Sequence, residues 1–430
     1  MLLAHRCSWF WALSCTAIAL APVLGQPLPK AQPVIVTVGV KEGDFRGTDA
    51  HALQAAVDRA AAKGGGTVRI GPGRYLMRNA LMLRSNVKIV GEPGKTVLVA
   101  CDGVKVLLAC DGDCNERQIT LEDPRGFQVG DGVVIQDERY GWGYQVTTAT
   151  LTAKVNDKSF RLSHPLYLDY MMRFKATATL AFPVVGGWNV KNASIEGLTI
   201  DGNRAKSAQF VDGCRAGGIY LHECEDIAIR NCIVRDFNGD GICSSVSHRT
   251  TVENCTSENN AGHGLHPGSG SHKPTFHKNK GLNNGHDGLF VCWHVQHGVF
   301  EDNEMRGNQR DGISIGHRDT DNRFFKNRVT GNSRAGILFR DETEPMGAHR
   351  NVFEDNVILD NAAQLKKGFP AASIVIQGHH HDLVFKGNTI GNSSASGPSK
   401  IGIHVSKQAL RLRDENNTFS HVATQIVTSK

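Results

Sequence analysis

A Gly followed by Ile or Leu opens a short apolar stretch at Gly218, Gly241, Gly264, Gly288, Gly312 and Gly336, at intervals of 23, 23, 24, 24 and 24 residues. Self-similarity at a fixed period of this size belongs to a solenoid. No single unit can bury its own apolar face, so the units stack to make a core. Within each unit a second strand ends near an Asn and another Asn follows five residues later, as at Asn254/Asn259, Asn279/Asn284, Asn303/Asn308, Asn327/Asn332 and Asn356/Asn361. Asn tolerates left-handed backbone geometry, and stacked Asn side chains hydrogen-bond from rung to rung. The run Ile313-Ser314-Ile315 alternates, apolar inward and polar outward, as a strand does. Leucine-rich repeats share the period but need a dense Leu framework, which is absent. The expected fold is therefore all-β, a parallel β-helix whose coils carry short strands joined by Asn- and Gly-containing turns.

Upstream of the repeat the chain reads differently. Residues 1–25 hold an early Arg6 and an apolar run from Trp9 to Leu24, the pattern of a signal peptide cut near Gly25-Gln26. The run is short for a bilayer span, so a secreted or periplasmic protein is expected. In HALQAAVDRAAAKGGG, Leu53, Ala56, Val57 and Ala60 share a helical face, Thr48 or Asp49 is the N-cap, and Gly64-Gly65-Gly66 ends the helix. Short β-type runs follow at 67–77, 80–92 and 95–103. The stretch GDFRGTDAHALQAAVDRAAAKGGGTVRIGPGRYLM, followed by LMLRSNVKIVGE, resembles the N-terminus of pectate-lyase-superfamily right-handed parallel β-helices. That resemblance implies right-handed coiling, with the helix capping the open end of the coil. Residues 119–187 break the rhythm and read as a small antiparallel β insertion, with a hairpin around Asn156-Asp157. Its segments 139–145 and 166–174 are rich in Tyr, Trp and Arg, suited either to stacking on sugar rings or to packing the insertion onto the coil. The expected organisation is a signal peptide over 1–25, cap and first coils over 34–118, the insertion over 119–187 and repeats over 188–430.

The formal net charge of +6 suits an anionic partner. A nucleic-acid binder would need a dense basic stripe with interleaved aromatics, and none is present, so an acidic polysaccharide is the expected partner. Two of the eleven cysteines leave with the signal peptide. Among the rest, Cys101, Cys110 and Cys114 are close enough in sequence for one local disulfide. Cys232 and Cys255 occupy equivalent repeat positions and are expected to form a buried ladder rather than a bond.

Neighbouring rungs lie about 4.8 Å apart, so equivalent positions form columns. The residue before each repeat Gly runs Gly217, Asp240, His263, Asp287, Asp311, Ala335, and the second residue after it runs Tyr220, Cys243, His266, Phe290, Ser314, Leu338. Further along the unit lie His222, His294, His317, Arg318 and Arg340. Nine of the 19 histidines fall between His248 and His317, a density that points to proton transfer more than to a solvated face. The expected catalytic residues are His263, His266, Asp287, Asp311, Asp240 and His294. Arg310, Arg318, Arg340, His317, Tyr220 and His222 are expected to bind substrate. The run His379-His380-His381 lies apart and reads as a turn.

Two further resemblances fall on the same place. GHGLHPGSGS followed by NNGHDGLFV is similar to the catalytic stretch of mannuronan C5-epimerases and related alginate-active β-helices. Asp287 keeps the acid of the second segment, while His263, His266 and Gly268 stand where that family has Tyr, Asp and His. GDGIC with GHGL one rung later resembles polygalacturonase segments. Asp240 is retained, but Gly241 and Gly217 stand where that family has two further aspartates, and the Arg-Ile-Lys segment is missing. The two resemblances agree on where the groove lies and differ on the reaction, epimerisation in the first and inverting hydrolysis in the second. The expected function is action on an acidic polysaccharide by lyase- or epimerase-type chemistry at C5 of a uronic acid. That chemistry needs a cation to neutralise the sugar carboxylate, a base and an acid. Arg310, Arg318 or Arg340 would be the cation, and His263 with His266 the acid/base pair. No cofactor is required. A calcium ion held by Asp240, Asp287 and Asp311 is the alternative neutraliser. Inverting hydrolysis by paired aspartates, a histidine-bound zinc on His263, His266 and His294, and a non-catalytic glycan-binding or surface β-helix remain open. In the last case the Asp column is only turn chemistry.

Overall fold

A strand of three to five residues cannot stand alone, but the same strand repeated every coil can pair with itself. Each coil of this chain runs through three such strands, for example Thr251–Glu253, Thr256–Glu258 and Leu265–Gly268, and then returns to Thr275–His277 one rung on. The computed structural model describes residues 34–139, 145–207, 213–365 and 367–429. Over these residues the strands build three parallel sheets of 13, 11 and 11 strands, here called first, second and third in the order the chain visits them. The result is a right-handed parallel β-helix. The signal-peptide segment 1–25 and most of the aromatic segment 139–145 lie outside the described residues. No described helix is long and apolar enough to cross a membrane.

The coil interior is filled by columns of like side chains. In the first sheet, Phe276, Phe300, Phe324, Phe353 and Phe385 stand in register. Successive ring centroids are 5.7, 4.6, 4.5 and 5.1 Å apart, and every ring is buried. The repeat Ile and Leu residues, Ile219, Ile242, Leu265, Leu289, Ile313 and Ile337, line the third sheet from inside.

The structure divides the asparagines into two jobs that the spacing had merged. Asn254, Lys278, Asp302, Lys326 and Asp355 sit with φ between 51° and 55° at one turn, the left-handed position. The residue after each of the last four, Asn279, Asn303, Asn327 or Asn356, turns its amide inward, as does Asn388 after Gly387. From Asn303 on, each Oδ1 takes the backbone N–H and the Nδ2 of the asparagine one rung before, as from Asn279 to Asn303 at 2.9 and 3.0 Å and from Asn303 to Asn327 at 3.0 and 3.0 Å. A parallel ladder runs through Asn260, Asn284, Asn308, Asn332 and Asn361 at the second turn. Cys232 and Cys255 are buried free thiols at the head of the first ladder, and the Cys255 N–H donates to Asn279 Oδ1. These amides are fully satisfied in a dry interior, where an unmade hydrogen bond is costly.

The helix Ala50–Ala62 covers the open end, as expected. Asp49 caps it by accepting from the His51 and Ala52 N–H groups, and Leu53, Ala56, Val57 and Ala60 are its buried face. The antiparallel insertion is larger than expected. It is a six-stranded sheet that begins at Lys105 rather than 119 and ends at Leu180. The coil resumes at Val185–Trp188, which pairs with Leu81–Met82 of the coil before the insertion. The expected hairpin pairs Thr147–Lys154 with Ser159–Leu162. Tyr170 is buried with its hydroxyl on Thr147, so it packs the insertion, whereas Tyr167 is exposed and stacks on His164. The local disulfide expected among Cys101, Cys110 and Cys114 is not formed. Cys101 is buried, Cys110 and Cys114 are exposed, and all three are free thiols.

Asn303→Ala removes one ladder amide, takes the Asn303 acceptor from the Asn279 N–H and Nδ2 and the Asn303 donor from the Phe276 carbonyl, and leaves Asn327 Oδ1 with the backbone N–H alone. It is expected to cost about 3–5 kcal/mol, measured by chemical denaturation. A loss under about 1 kcal/mol would show that water replaces the amide and that the ladder contributes little.

Candidate functional site

The residue before each repeat Gly sits where the chain leaves the second sheet and enters the third. The register joins Tyr220, Cys243, His266, Phe290, Ser314 and Leu338 in one outward column of the third sheet. The two expected columns therefore run side by side, and the structure brings Asp240, His263, His266 and Asp287 together.

Each aspartate divides its two oxygens. Asp240 Oδ1 takes the His263 N–H at 2.8 Å, Asp287 Oδ1 takes the Asp311 N–H at 2.9 Å, and Asp311 Oδ1 takes the Ala335 N–H at 2.9 Å. The other oxygen meets a basic side chain. His266 Nδ1 lies 2.8 Å from Asp240 Oδ2, His263 Nδ1 lies 3.2 Å from Asp287 Oδ2, and Arg334 pairs with Asp311 Oδ2. A calcium ion on this column would have to displace those partners.

The charges follow from these contacts. Burial works against the Asp240 carboxylate, but His263 and His266 outweigh it and hold the group at about 2. Burial likewise opposes a charge on His266, and Cys214 and Asp240 together lift that ring well above its ordinary value. Asp287 is held low against burial by His263. Asp311 is pushed up by burial and by the Asp287 charge, with Arg334 pulling the other way. The His263 ring lies flat on Phe290 with centroids 4.0 Å apart, and its edge meets His286 at 5.0 Å. Burial and His263 push His286 down to about 4, so it is neutral at ordinary pH.

Arg340 reaches this strip from two rungs beyond Phe290. Its guanidinium lies 4.8 Å from the Phe290 ring and bonds to Ser314 Oγ, the Val291 carbonyl and buried Asp319. The remaining expected residues are elsewhere. His294 and Arg318 meet each other at 3.3 Å, and His317 stacks on Trp293 and bonds to Glu342, all beyond the far end of the third-sheet strands. Tyr220 is buried and stacked with His222 near the start of the coil.

Arg310 is exposed and makes no ion pair with a described residue. It lines an open cleft of about 380 Å³ with Gly285, His286, Gln309, Arg334 and Gln364. His286, Arg310 and Arg334 recur at intervals of 24 residues, one position before the Asp column. Sequence reasoning missed His286 and Arg334 although this periodicity was available. It also missed Cys214, which no repeat position announces.

A family model described as right handed beta helix region matches residues 184–345 and 295–421. No curated protein matches the chain in sequence at a significant level. Among solved structures, the A-module of the Azotobacter vinelandii mannuronan C-5 epimerase AlgE6 superposes with a TM-score of 0.54 at 17% identity, covering 91% of this chain and 100% of the module. PfbA, a surface adhesin of Streptococcus pneumoniae, gives 0.55 at 14% identity over 92% of each chain. The Dettilon tailspike protein gp208 gives 0.54 at 13%, covering 91% of this chain and 68% of the tailspike. At these identities the likeness is one of fold.

His380 pins the strand end that carries Arg340. Its Nε2 donates to the Arg340 carbonyl at 2.8 Å and its Nδ1 accepts from the Ala348 N–H at 2.9 Å, so the buried ring is neutral. Burial lowers it to about 4, well below the ordinary range of histidine. A depressed histidine stabilises the fold above its unfolded value and loses that contribution as pH falls towards the folded one. Between pH 7 and 5 the loss is about 2 kcal/mol. Thermal melts at the two pH values should show a larger drop for the native chain than for His380→Gln, and equal drops would refute the assignment.

Proposed function

The chain belongs to the right handed beta helix family, and on that premise we propose that it is an exported enzyme that works on an acidic polysaccharide by proton transfer at C5 of a uronic acid. The observation that carries this reading is the His263–Asp287 pair beside neutral His286, at the lip of the cleft that Arg310 lines. Two histidines in contact, one kept neutral and the other facing a carboxylate, make a base and an acid. His286, kept neutral, takes the C5 proton. The resulting electron pair spreads onto the sugar carboxylate, whose charge Arg310 balances, with Arg334 next to it. His263, whose ring nitrogen faces the Asp287 carboxylate, supplies the second proton. Delivered to O4 as the C4–O4 bond breaks and a C4–C5 double bond forms, that proton completes an elimination. Delivered to C5 from the opposite face, it completes an epimerisation. The mannuronan epimerase neighbour supports the substrate class, through fold alone.

Paired-aspartate hydrolysis is supported less well. Asp240, Asp287 and Asp311 are buried, and each spends one oxygen on a backbone N–H and the other on His266, His263 or Arg334. A nucleophile-activating pair needs exposed carboxylate oxygens facing a sugar.

The test is incubation with a panel of polyuronates in D2O. An epimerase should place deuterium at C5 of inverted sugar units, whereas a lyase should give new ultraviolet absorbance from the C4–C5 double bond, whose C5 carries no hydrogen. His263→Ala and His286→Ala should each slow turnover about 10²–10⁴-fold, and Arg310→Ala should lower kcat as well as raise KM. Reducing ends with neither new absorbance nor deuterium at C5, binding without turnover, or full activity in both histidine variants would each overturn the proposal.

A further inference from the structure

Cys243 is out of place for a structural cysteine. Cys224, Cys232 and Cys255 point into the hydrophobic core, whereas Cys243 stands in the outward column between Tyr220 and His266 and belongs to no apolar cluster. It is nevertheless fully buried. The cover comes from an unusual connection. Between the second and third sheets most coils use a turn of about six residues, as from Glu258 to Leu265, but the coil from Asp201 to Ile219 is far longer. Its last residues return across the strip. The Gly213 carbonyl takes the Asp240 N–H at 2.6 Å, and Cys214 Sγ comes to 3.8 Å from Asp240 Oδ2 and 3.7 Å from His266 Nδ1.

We propose that Cys214, Asp240, Cys243 and His266 form a binding site for a borderline-soft divalent metal ion of the zinc class. One donor atom from each residue lies within 4.8 Å of all the others. A tetrahedral zinc with bonds of about 2.0–2.3 Å holds its ligands roughly 3.3–3.8 Å apart, so the cluster closes on an ion with movements of about an ångström. Two sulfurs, an imidazole nitrogen and one carboxylate oxygen are a zinc donor set. Calcium and magnesium need several oxygens and find one. Asp240 is already oriented, because its Oδ1 holds the His263 N–H and its Oδ2 faces the cluster. With four protein ligands the site is closed, which is the structural form of zinc. The ion would fasten the long connection to the coil and, through Asp240, fix the rung that carries His263. It does not rest on the polysaccharide reading, and its readout is metal, not activity.

The full chain, equilibrated with zinc sulfate and desalted, should retain about one zinc per chain by mass spectrometry. Cobalt in its place should give the intense visible bands of a tetrahedral thiolate complex. Cys214→Ser, on the covering connection, and His266→Asn should each lower the retained metal at least tenfold, while Cys232→Ser should keep it. Chelation should lower the melting temperature of the native chain and leave that of Cys214→Ser unchanged. No retained zinc, retention undiminished in both ligand variants, or a Cys214–Cys243 disulfide in the unreduced protein would overturn the proposal.

Discussion

The hydrogen bonds between one rung and the next are what the rest of this molecule depends on. Strand pairing sets the spacing at about 4.8 Å, but short strands alone would let coils slip. The buried amides prevent this. An Asn that both accepts from the rung before and donates to the rung after has a correct partner in only one register, and a slip would strand every amide in the ladder at once. The turns beside them take left-handed geometry in coil after coil, which fixes the corner as well as the stack. Register locked in this way lets residues about 24 positions apart in sequence act as neighbours in space.

The aspartate column shows how chemistry can grow out of such a scaffold. One oxygen of Asp240, Asp287 or Asp311 does what an amide does elsewhere, capping a backbone N–H of the next rung. The second oxygen is left over, and an anion left over in a nearly dry place demands a partner. His266, His263 and Arg334 are those partners. Turn chemistry and site chemistry are thus not rival explanations of these residues. The same carboxylate serves both, and for that reason it is poorly placed to attack a sugar itself.

Much of the fold was legible in the sequence because it is periodic. The Gly-Ile and Gly-Leu spacing, the capping helix with Asp49 and the outward column from Tyr220 to Leu338 all follow from counting. Counting failed where neighbouring columns differ by one residue. Asn254 and Asn279 look equivalent in sequence, yet the first makes the left-handed turn and the second the ladder. It also failed where rotation about the coil matters. His294, His317 and Arg318 belong to the two rungs after that of His263 and lie past the other end of the strand, because three further residues carry the chain across the width of the sheet. His286, Arg310 and Arg334 were within reach of the same counting, one position before the aspartates.

Cys214 marks the limit of that approach. Zinc ligands are usually recognised by close spacing along the chain, and here the four donors come from residues 214, 240, 243 and 266, with no such spacing. Three of them lie on two stacked rungs, where the period places them. The fourth arrives on a connection whose length departs from the period. A regular solenoid presents open columns, and a closed cluster needs a lid. The connection from Asp201 to Ile219, longer than the six residues usual between the second and third sheets, therefore lies over the place where the donors are softest and best buried.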